Sequence, residues 1–122
     1  MLRKLLVTSA LSLGLLVTSA LPAQAWDLIA DKSGYGRTTL RTWTRNYNKG
    51  AWVVDHAGTR VAVRLRIDCR SGATYNESWV DGGGRFRQVV RGLGDEGRCD
   101  AVLRVVPRSN SVQLYLAALA EG

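Results

Sequence analysis

Apolar and polar residues alternate with a period of two along most of the chain after residue 36. The clearest run extends from Thr59 to Cys69, where every second residue is apolar and the residues between them are mainly arginine. This spacing places the apolar side chains on one face of a β-strand and the arginines on the other. The run therefore predicts an antiparallel strand with one buried face and one face in water.

A second run, from Arg98 to Val106, has the same alternation and carries the second cysteine on its apolar face. Cys69 is likewise in phase with the apolar face of the first run. Two bonded cysteines share one environment, so the matched phase predicts both strands and a Cys69–Cys99 disulfide together. Such a bridge contributes about 3 to 4 kcal/mol to stability in the chain-entropy model.

The remaining strands are shorter and less regular. Thr38 to Tyr47 has no fully apolar face, so it is predicted to be an edge strand. Ala51 to Asp55 and Val112 to Leu119 are predicted strands as well. For Leu116 to Glu121 a helix is the alternative, because alanine and leucine have high helix propensity.

A glycine-rich segment, Gly82 to Gly84, separates two further strand patterns. Glycine supplies the positive φ angles of tight turns, so the segment predicts a hairpin. With a three-residue loop, Asp81 would lie opposite Arg85 and Trp79 beside Arg87. In total the chain has six or seven predicted strands and no convincing helix. We therefore expect residues 37–122 to form a small all-β domain, an antiparallel β-sandwich with one disulfide.

Residues 1–25 have the pattern of a secretory signal peptide. Arg3 and Lys4 precede an apolar stretch from Leu5 to Leu21, and Ala23-Gln24-Ala25 is a typical cleavage site. Cleavage would leave a mature chain of 97 residues beginning at Trp26. No later stretch reaches the roughly 18 apolar residues of a transmembrane helix, so we expect a secreted, extracellular protein without a membrane span.

Residues 26–36 precede the first predicted strand and include the apolar Trp26, Leu28 and Ile29. We expect this segment to be an N-terminal extension that is mobile on its own. Exposed apolar side chains of this kind mark interaction sites. The three residues are therefore predicted to bind a partner.

The chain is basic, with a formal charge of +7 that falls to about +5 without the signal peptide. Of the 15 basic residues after residue 25, 13 are arginine. This bias is functional if the planar guanidinium is needed for bidentate binding. A G+C-rich genome is the alternative explanation, because the arginines are dispersed along the sequence.

No residue pattern in the chain is typical of an enzyme. His56 is the only histidine and precedes Ala57 and Gly58 in a predicted turn, where we expect it to be exposed. Asp55 is adjacent, but neighbouring residues of a strand point to opposite faces, so it would not orient His56 for catalysis. With one histidine and two paired cysteines, we expect no metal site and no cofactor.

Arginines and aromatic residues alternate on the predicted edge strand, where Arg41, Trp43 and Arg45 share a face. This composition is typical of binding hot spots, so the three residues are predicted to contact a partner. Packing of Trp43 under a loop is the alternative, because small sandwiches need large side chains in their cores.

The export signal, the arginine bias, the Trp26-led segment and the single Cys69/Cys99 bridge resemble small secreted actinobacterial proteins. In overall plan the chain resembles the adaptor subunit of umbrella-type polymorphic toxin particles. The resemblance implies a β-sandwich adaptor that inserts its N-terminal extension into one partner and docks a second on the sandwich.

Three functions follow from these observations. The first is a secreted non-enzymatic protein-interaction module, an adaptor or inhibitor, whose partner is another secreted or cell-surface protein. The second is a binder of anionic cell-envelope polymers, for which the positive charge supplies affinity. The third is a small hydrolase that uses His56. Export makes nucleic acid an unexpected partner.

Overall fold

The computed structural model describes residues 26–45 and 47–121, and this part of the chain forms eight β-strands and one short 3₁₀ helix, Gly94–Glu96. The predicted signal peptide lies outside the described residues. The strands are β1 Asp27–Tyr35, β2 Thr38–Thr44, β3 Lys49–Asp55, β4 Val61–Cys69, β5 Thr74–Asp81, β6 Arg85–Arg91, β7 Cys99–Pro107 and β8 Gln113–Glu121.

The strands form two four-stranded sheets in which every pairing is antiparallel. Sheet I has the strand order β1-β8-β3-β6, and sheet II has the order β2-β7-β4-β5. The predicted antiparallel β-sandwich is therefore confirmed. The segment from Leu116 to Glu121, for which a helix was the alternative, belongs to strand β8.

The core lies between the two sheets. Alternate residues of β4 and β7 are buried as predicted, and they face Trp52, Val54 and the apolar residues of β8. Burying each large aliphatic side chain stabilises the fold by about 1.5 to 3 kcal/mol. The Trp52 ring also lies over residue 50, where a Cβ would approach its Cη2 atom to 2.5 Å, so only glycine fits there without rearrangement.

The disulfide joins the two central strands of sheet II. Cys69 and Cys99 are directly opposite in the β4–β7 ladder, with their Cα atoms 3.9 Å apart. The predicted bridge is therefore confirmed. It closes the end of the ladder where Arg70 N–H donates to the Arg98 carbonyl over 2.9 Å.

The predicted hairpin between β5 and β6 is wrong. Strand β5 pairs with β4 in sheet II and β6 pairs with β3 in sheet I, so Gly82 to Gly84 crosses from one sheet to the other. The crossing lets the Trp79 and Phe86 rings pack against each other across the sandwich, with their centroids 5.1 Å apart and their planes tilted by 48°. In the predicted hairpin register the two rings would instead lie on opposite faces of one two-stranded sheet.

The expectation that residues 26–36 form a mobile N-terminal extension is also wrong. Residues 27–35 form strand β1 at the edge of sheet I. Eight residue pairs join β1 to β8, from Asp27 opposite Ala120 to Tyr35 opposite Gln113. A bulge between Leu28 and Ala30 interrupts the alternation, which explains why the sequence pattern did not show the strand. Ile29 and Ala30 pack against the core.

A side-chain hydrogen bond also ties β1 to its neighbour. Tyr115 Oη donates to Asp31 Oδ2 over 2.9 Å, and this hydrogen bond raises the pKa of Tyr115 above its usual value. The N-terminal segment is therefore part of the folded domain.

Deleting residues 26–32 should destabilise the protein, because it removes most of the β1–β8 ladder and uncovers core residues. We expect a clearly lower melting temperature and a lower free energy of unfolding, measured by circular dichroism in urea. Leu28→Ala is the control. Leu28 is 55% exposed, so this variant should unfold like the native protein. An unchanged melting temperature after the deletion would contradict the assignment of β1.

Candidate binding face

Sheet II turns an arginine-rich surface toward solvent. Arg41 on β2, Arg64 and Arg66 on β4, and Arg104 on β7 occupy outward-facing positions and are exposed. We call these four residues the arginine face. They share one surface because β7 pairs with both β2 and β4.

The strand register places the four arginines next to one another. Arg64 and Arg104 are directly opposite on β4 and β7, and in the next row Val102 lies opposite both Arg41 and Arg66. Neighbouring strands lie about 4.8 Å apart, so Arg41 and Arg66 start about 10 Å apart. The arrangement concentrates four positive charges on a few square nanometres at most.

Only part of this charge is neutralised within the described residues. Arg66 Nε donates to Asp68 Oδ2 over 3.0 Å, and Arg64 Nε donates to the neutral Asn76 amide oxygen over 3.2 Å. Neither Arg41 nor Arg104 has an ion pair with a described residue. Like charges directly opposite in a sheet destabilise it. The fold therefore gains nothing from this cluster.

Three open hollows follow one another across the same surface. The middle hollow, of about 330 Å³, is lined by the arginine face together with Asp68 and Val102. A hollow of about 290 Å³ on one side shares Arg41 and Val102 with it. A hollow of about 410 Å³ on the other side shares Arg64 and Arg104. Together they form a diagonal groove from β2 to β5.

The two ends of the diagonal groove differ in chemistry. Trp43 lies at the β2 end and is 53% exposed, with the Arg98 guanidinium carbon 4.8 Å from its ring centroid. Arg98 is held in turn by Asp100, which accepts a hydrogen bond from its Nε over 3.1 Å. The β5 end is apolar and includes the exposed Val80. Trp43 is therefore a supported but open aromatic surface, not a side chain packed under a loop.

The six residues predicted to bind a partner do not form one site. Arg41 and Trp43 lie together on the diagonal groove, whereas Arg45 is exposed just beyond the end of β2. Leu28 and Ile29 belong to strand β1 of sheet I, and Trp26 immediately precedes that strand. The sequence alone could not show that Arg64, Arg66 and Arg104 lie beside Arg41. Which strands are neighbours within a sheet depends on the strand order, and no local pattern encodes that order.

Of the three N-terminal residues predicted to bind a partner, only Leu28 is exposed. Ile29 is partly buried against the core. Trp26 is half-buried, and the Arg87 guanidinium carbon lies 5.4 Å from its ring centroid. Because β1 and β6 are opposite edges of sheet I, these two side chains meet above the strands between them. Trp26 is thus engaged within the domain.

The expectation that His56 is exposed is wrong. Its side chain is fully buried, and Nε2 lies 2.5 Å from Asp81 Oδ2. The crossing loop produces this contact, because His56 N–H donates to the Gly84 carbonyl over 2.9 Å and fixes the end of β3 beside the end of β5. Nε2 therefore carries the hydrogen and donates to the carboxylate. The pair links the two sheets.

The environment of His56 bears directly on the hydrolase hypothesis. His56 has no exposed surface through which it could reach a substrate, and no nucleophile is hydrogen-bonded to it in the structure. Between residues 26 and 121, apart from residue 46, no three histidine, cysteine or carboxylate side chains are grouped as a metal ion requires. In the same part of the chain no helix is long and apolar enough to cross a membrane.

No protein-family profile matches the sequence, and no curated protein matches it significantly. The fold is similar to that of the carbohydrate-binding module TmCBM61, solved in complex with β-1,4-galactotriose: the identity is 10%, the match covers 75% of this chain and 69% of that one, and the TM-score is 0.50. The mitogen of Yersinia pseudotuberculosis matches at 5% identity over 80% of this chain and 86% of its own, with a TM-score of 0.48. The likeness to TmCBM61 shows a shared fold and no more.

Replacing His56 with alanine should destabilise the protein, because it leaves a cavity between the sheets and leaves the Asp81 carboxylate without its histidine partner. We expect the free energy of unfolding to fall by about 3 kcal/mol. Urea titration followed by tryptophan fluorescence measures this loss.

Asp55→Asn is the matched control for this substitution. Asp55 also sits at the end of β3 and accepts a hydrogen bond from Arg85 Nε over 2.7 Å, but that pair is exposed. Exposed pairs contribute little, so the control should be nearly as stable as the native protein. Equal stability of the native protein and His56→Ala would show that the buried pair is dispensable.

Proposed function

We propose that this protein is a non-enzymatic binding module that holds an extended polyanion on the outer face of sheet II. The observation that carries the proposal is the arginine face, in which four adjacent guanidinium groups line one groove and, of the four, only Arg66 has an ion pair with a described residue. Guanidinium groups bind carboxylates, sulfates and phosphates through paired hydrogen bonds. An anionic ligand would supply the counter-charges that the sheet itself does not.

The shape of the surface supports a polymer over a small anion. The diagonal groove extends over about 20 Å along the strands and about 14 Å across them, as estimated from strand geometry. It is open to solvent along its length, so a chain can enter sideways and continue beyond both ends. The excess positive charge also steers an anionic polymer toward this face.

The adaptor hypothesis requires a free N-terminal segment that can insert into a partner. In this protein the segment is paired with β8 as strand β1, so it does not support that hypothesis. The adaptor role implied by the resemblance to toxin-particle subunits remains a prediction. A protein partner docked on the arginine face is the second candidate function. It is favoured by the exposed Trp43, since tryptophan and arginine are the residues most enriched in binding hot spots.

Polyanion binding should depend on the arginine face and on salt. We expect the double variant Arg41→Gln/Arg104→Gln to bind medium-length polyphosphate and dextran sulfate about tenfold more weakly than the native protein, measured by isothermal titration calorimetry. Both residues are exposed, so the variant should fold normally. Native binding should weaken strongly as salt rises, because the Debye length falls from about 30 Å at 0.01 M to about 8 Å at 0.15 M.

Arg91→Gln/Arg108→Gln is the matched control, because it removes the same charge from exposed positions outside the arginine face. This control should bind nearly as well as the native protein. Equal weakening by both double variants would mean that net charge alone attracts the polymer and would refute a defined site. Salt-resistant binding of an acidic protein, without binding of either polymer, would favour the protein-partner function.

A further inference from the structure

The outer face of sheet II carries more than positive charge. Trp43 stands two residues from Arg41 on β2, which places its ring about 7 Å along the strand from the first arginine of the groove. Neutral hydroxyl and amide side chains lie on the same outer face, on the two outer strands of sheet II, and one of them, Ser78, lines the groove. They are Thr39 on β2 and Thr74, Asn76 and Ser78 on β5.

Trp43 is held ready for a ligand. The cation–π contact with Arg98 supports the ring, and the Arg98–Asp100 hydrogen bond fixes that arginine. A supported ring loses little conformational entropy when a second group stacks on it. Its exposed half is continuous with the hollow that leads to Arg41.

We infer that the polyanion is an acidic glycan, one of whose sugar rings stacks on Trp43 while acidic groups farther along the chain bind the arginine face. This inference rests on the proposed function and names the ligand class for the same groove. A glycan uses all three features of the surface. Its ring carbons meet the tryptophan, its carboxylates or sulfates meet the guanidinium groups, and its hydroxyls meet the threonine, serine and asparagine side chains.

Other polyanions use fewer of these features. Polyphosphate has no ring and leaves Trp43 and the apolar end of the groove unused. A single-stranded nucleic acid needs successive aromatic side chains for successive bases. Among the outward-facing residues of the described strands of sheet II, Trp43 is the only aromatic one. Trp79 also lines the β5 end of the groove, but its ring packs against Phe86.

An acidic peptide is also a poorer match. Peptides gain affinity and register by adding a strand to the free edge of a sheet. The diagonal groove crosses the face of sheet II, where the main-chain donors and acceptors of β4 and β7 are already used in the ladders on both sides. A peptide there would be bound by side chains alone.

The test compares three acidic glycans of different backbone with three other polyanions. The glycans are oligogalacturonate, hyaluronan oligosaccharide and dextran sulfate, and the others are polyphosphate, poly-glutamate and single-stranded oligothymidylate. At least one glycan should bind the native protein. Trp43→Ala should weaken that binding about tenfold, while polyphosphate binding changes by less than about twofold. Trp43→Phe should restore a large part of the loss.

Tyr35→Ala is the control for the removal of an aromatic side chain. Tyr35 is 68% exposed on β1 of sheet I, so its replacement should not change the affinity for any of these ligands. Binding of polyphosphate without binding of any of the three glycans would overturn the inference and leave the proposed function standing. Binding of no polyanion would overturn both. An equal loss of glycan and polyphosphate binding in Trp43→Ala, or a larger loss for poly-glutamate or oligothymidylate, would also overturn the inference.

Discussion

The burial of apolar side chains between the two sheets is the constraint on which the rest of this structure depends. In a strand each residue that turns inward forces its neighbours outward. When Val63 and Leu65 of β4 enter the core, Arg64 and Arg66 must face water. The same rule places Arg104 outside when Leu103 and Val105 of β7 are buried. The arginine face is thus a direct consequence of how the core is packed.

The strand order then decides which outward residues become neighbours. β7 lies between β2 and β4, so arginines that are far apart in sequence meet on one surface. Their mutual repulsion opposes folding. The disulfide lies in the same β4–β7 ladder and offsets part of this repulsion, since a bridge of this loop length contributes about 3 to 4 kcal/mol. Because the clustered arginines oppose folding, a contribution to stability does not explain them. Binding of an anionic ligand is the simpler explanation.

The parts of the fold that the sequence could predict are those governed by local alternation. The inward positions of Thr59 to Cys69 and Arg98 to Val106 are apolar at nearly every second residue, and the phase of the two cysteines was sufficient to predict the bridge. Strand β1 was not predictable in this way, because its bulge breaks the alternation and its edge position exposes most of its residues.

Two further features depend on long-range contacts that no local pattern encodes. Gly82 to Gly84 is equally compatible with a hairpin and with a crossing between sheets, and the Trp79–Phe86 contact favours the crossing. His56 is buried, and that crossing brings Asp81 into hydrogen-bond contact with it. For the candidate site, the sequence showed which arginines of each strand face outward. Predicting that they line one groove would also have required knowledge of the strand order.

The central claim is that the outer face of sheet II is the binding surface, and nuclear magnetic resonance tests it most directly. A titration of ¹⁵N-labelled protein with oligogalacturonate or polyphosphate would follow the backbone amides and the arginine Nε–H groups. We predict the largest shifts at Arg41, Arg64, Arg66 and Arg104, with smaller shifts on sheet I. Shifts concentrated on the outer face of sheet I, or spread evenly over all exposed arginines, would contradict the account.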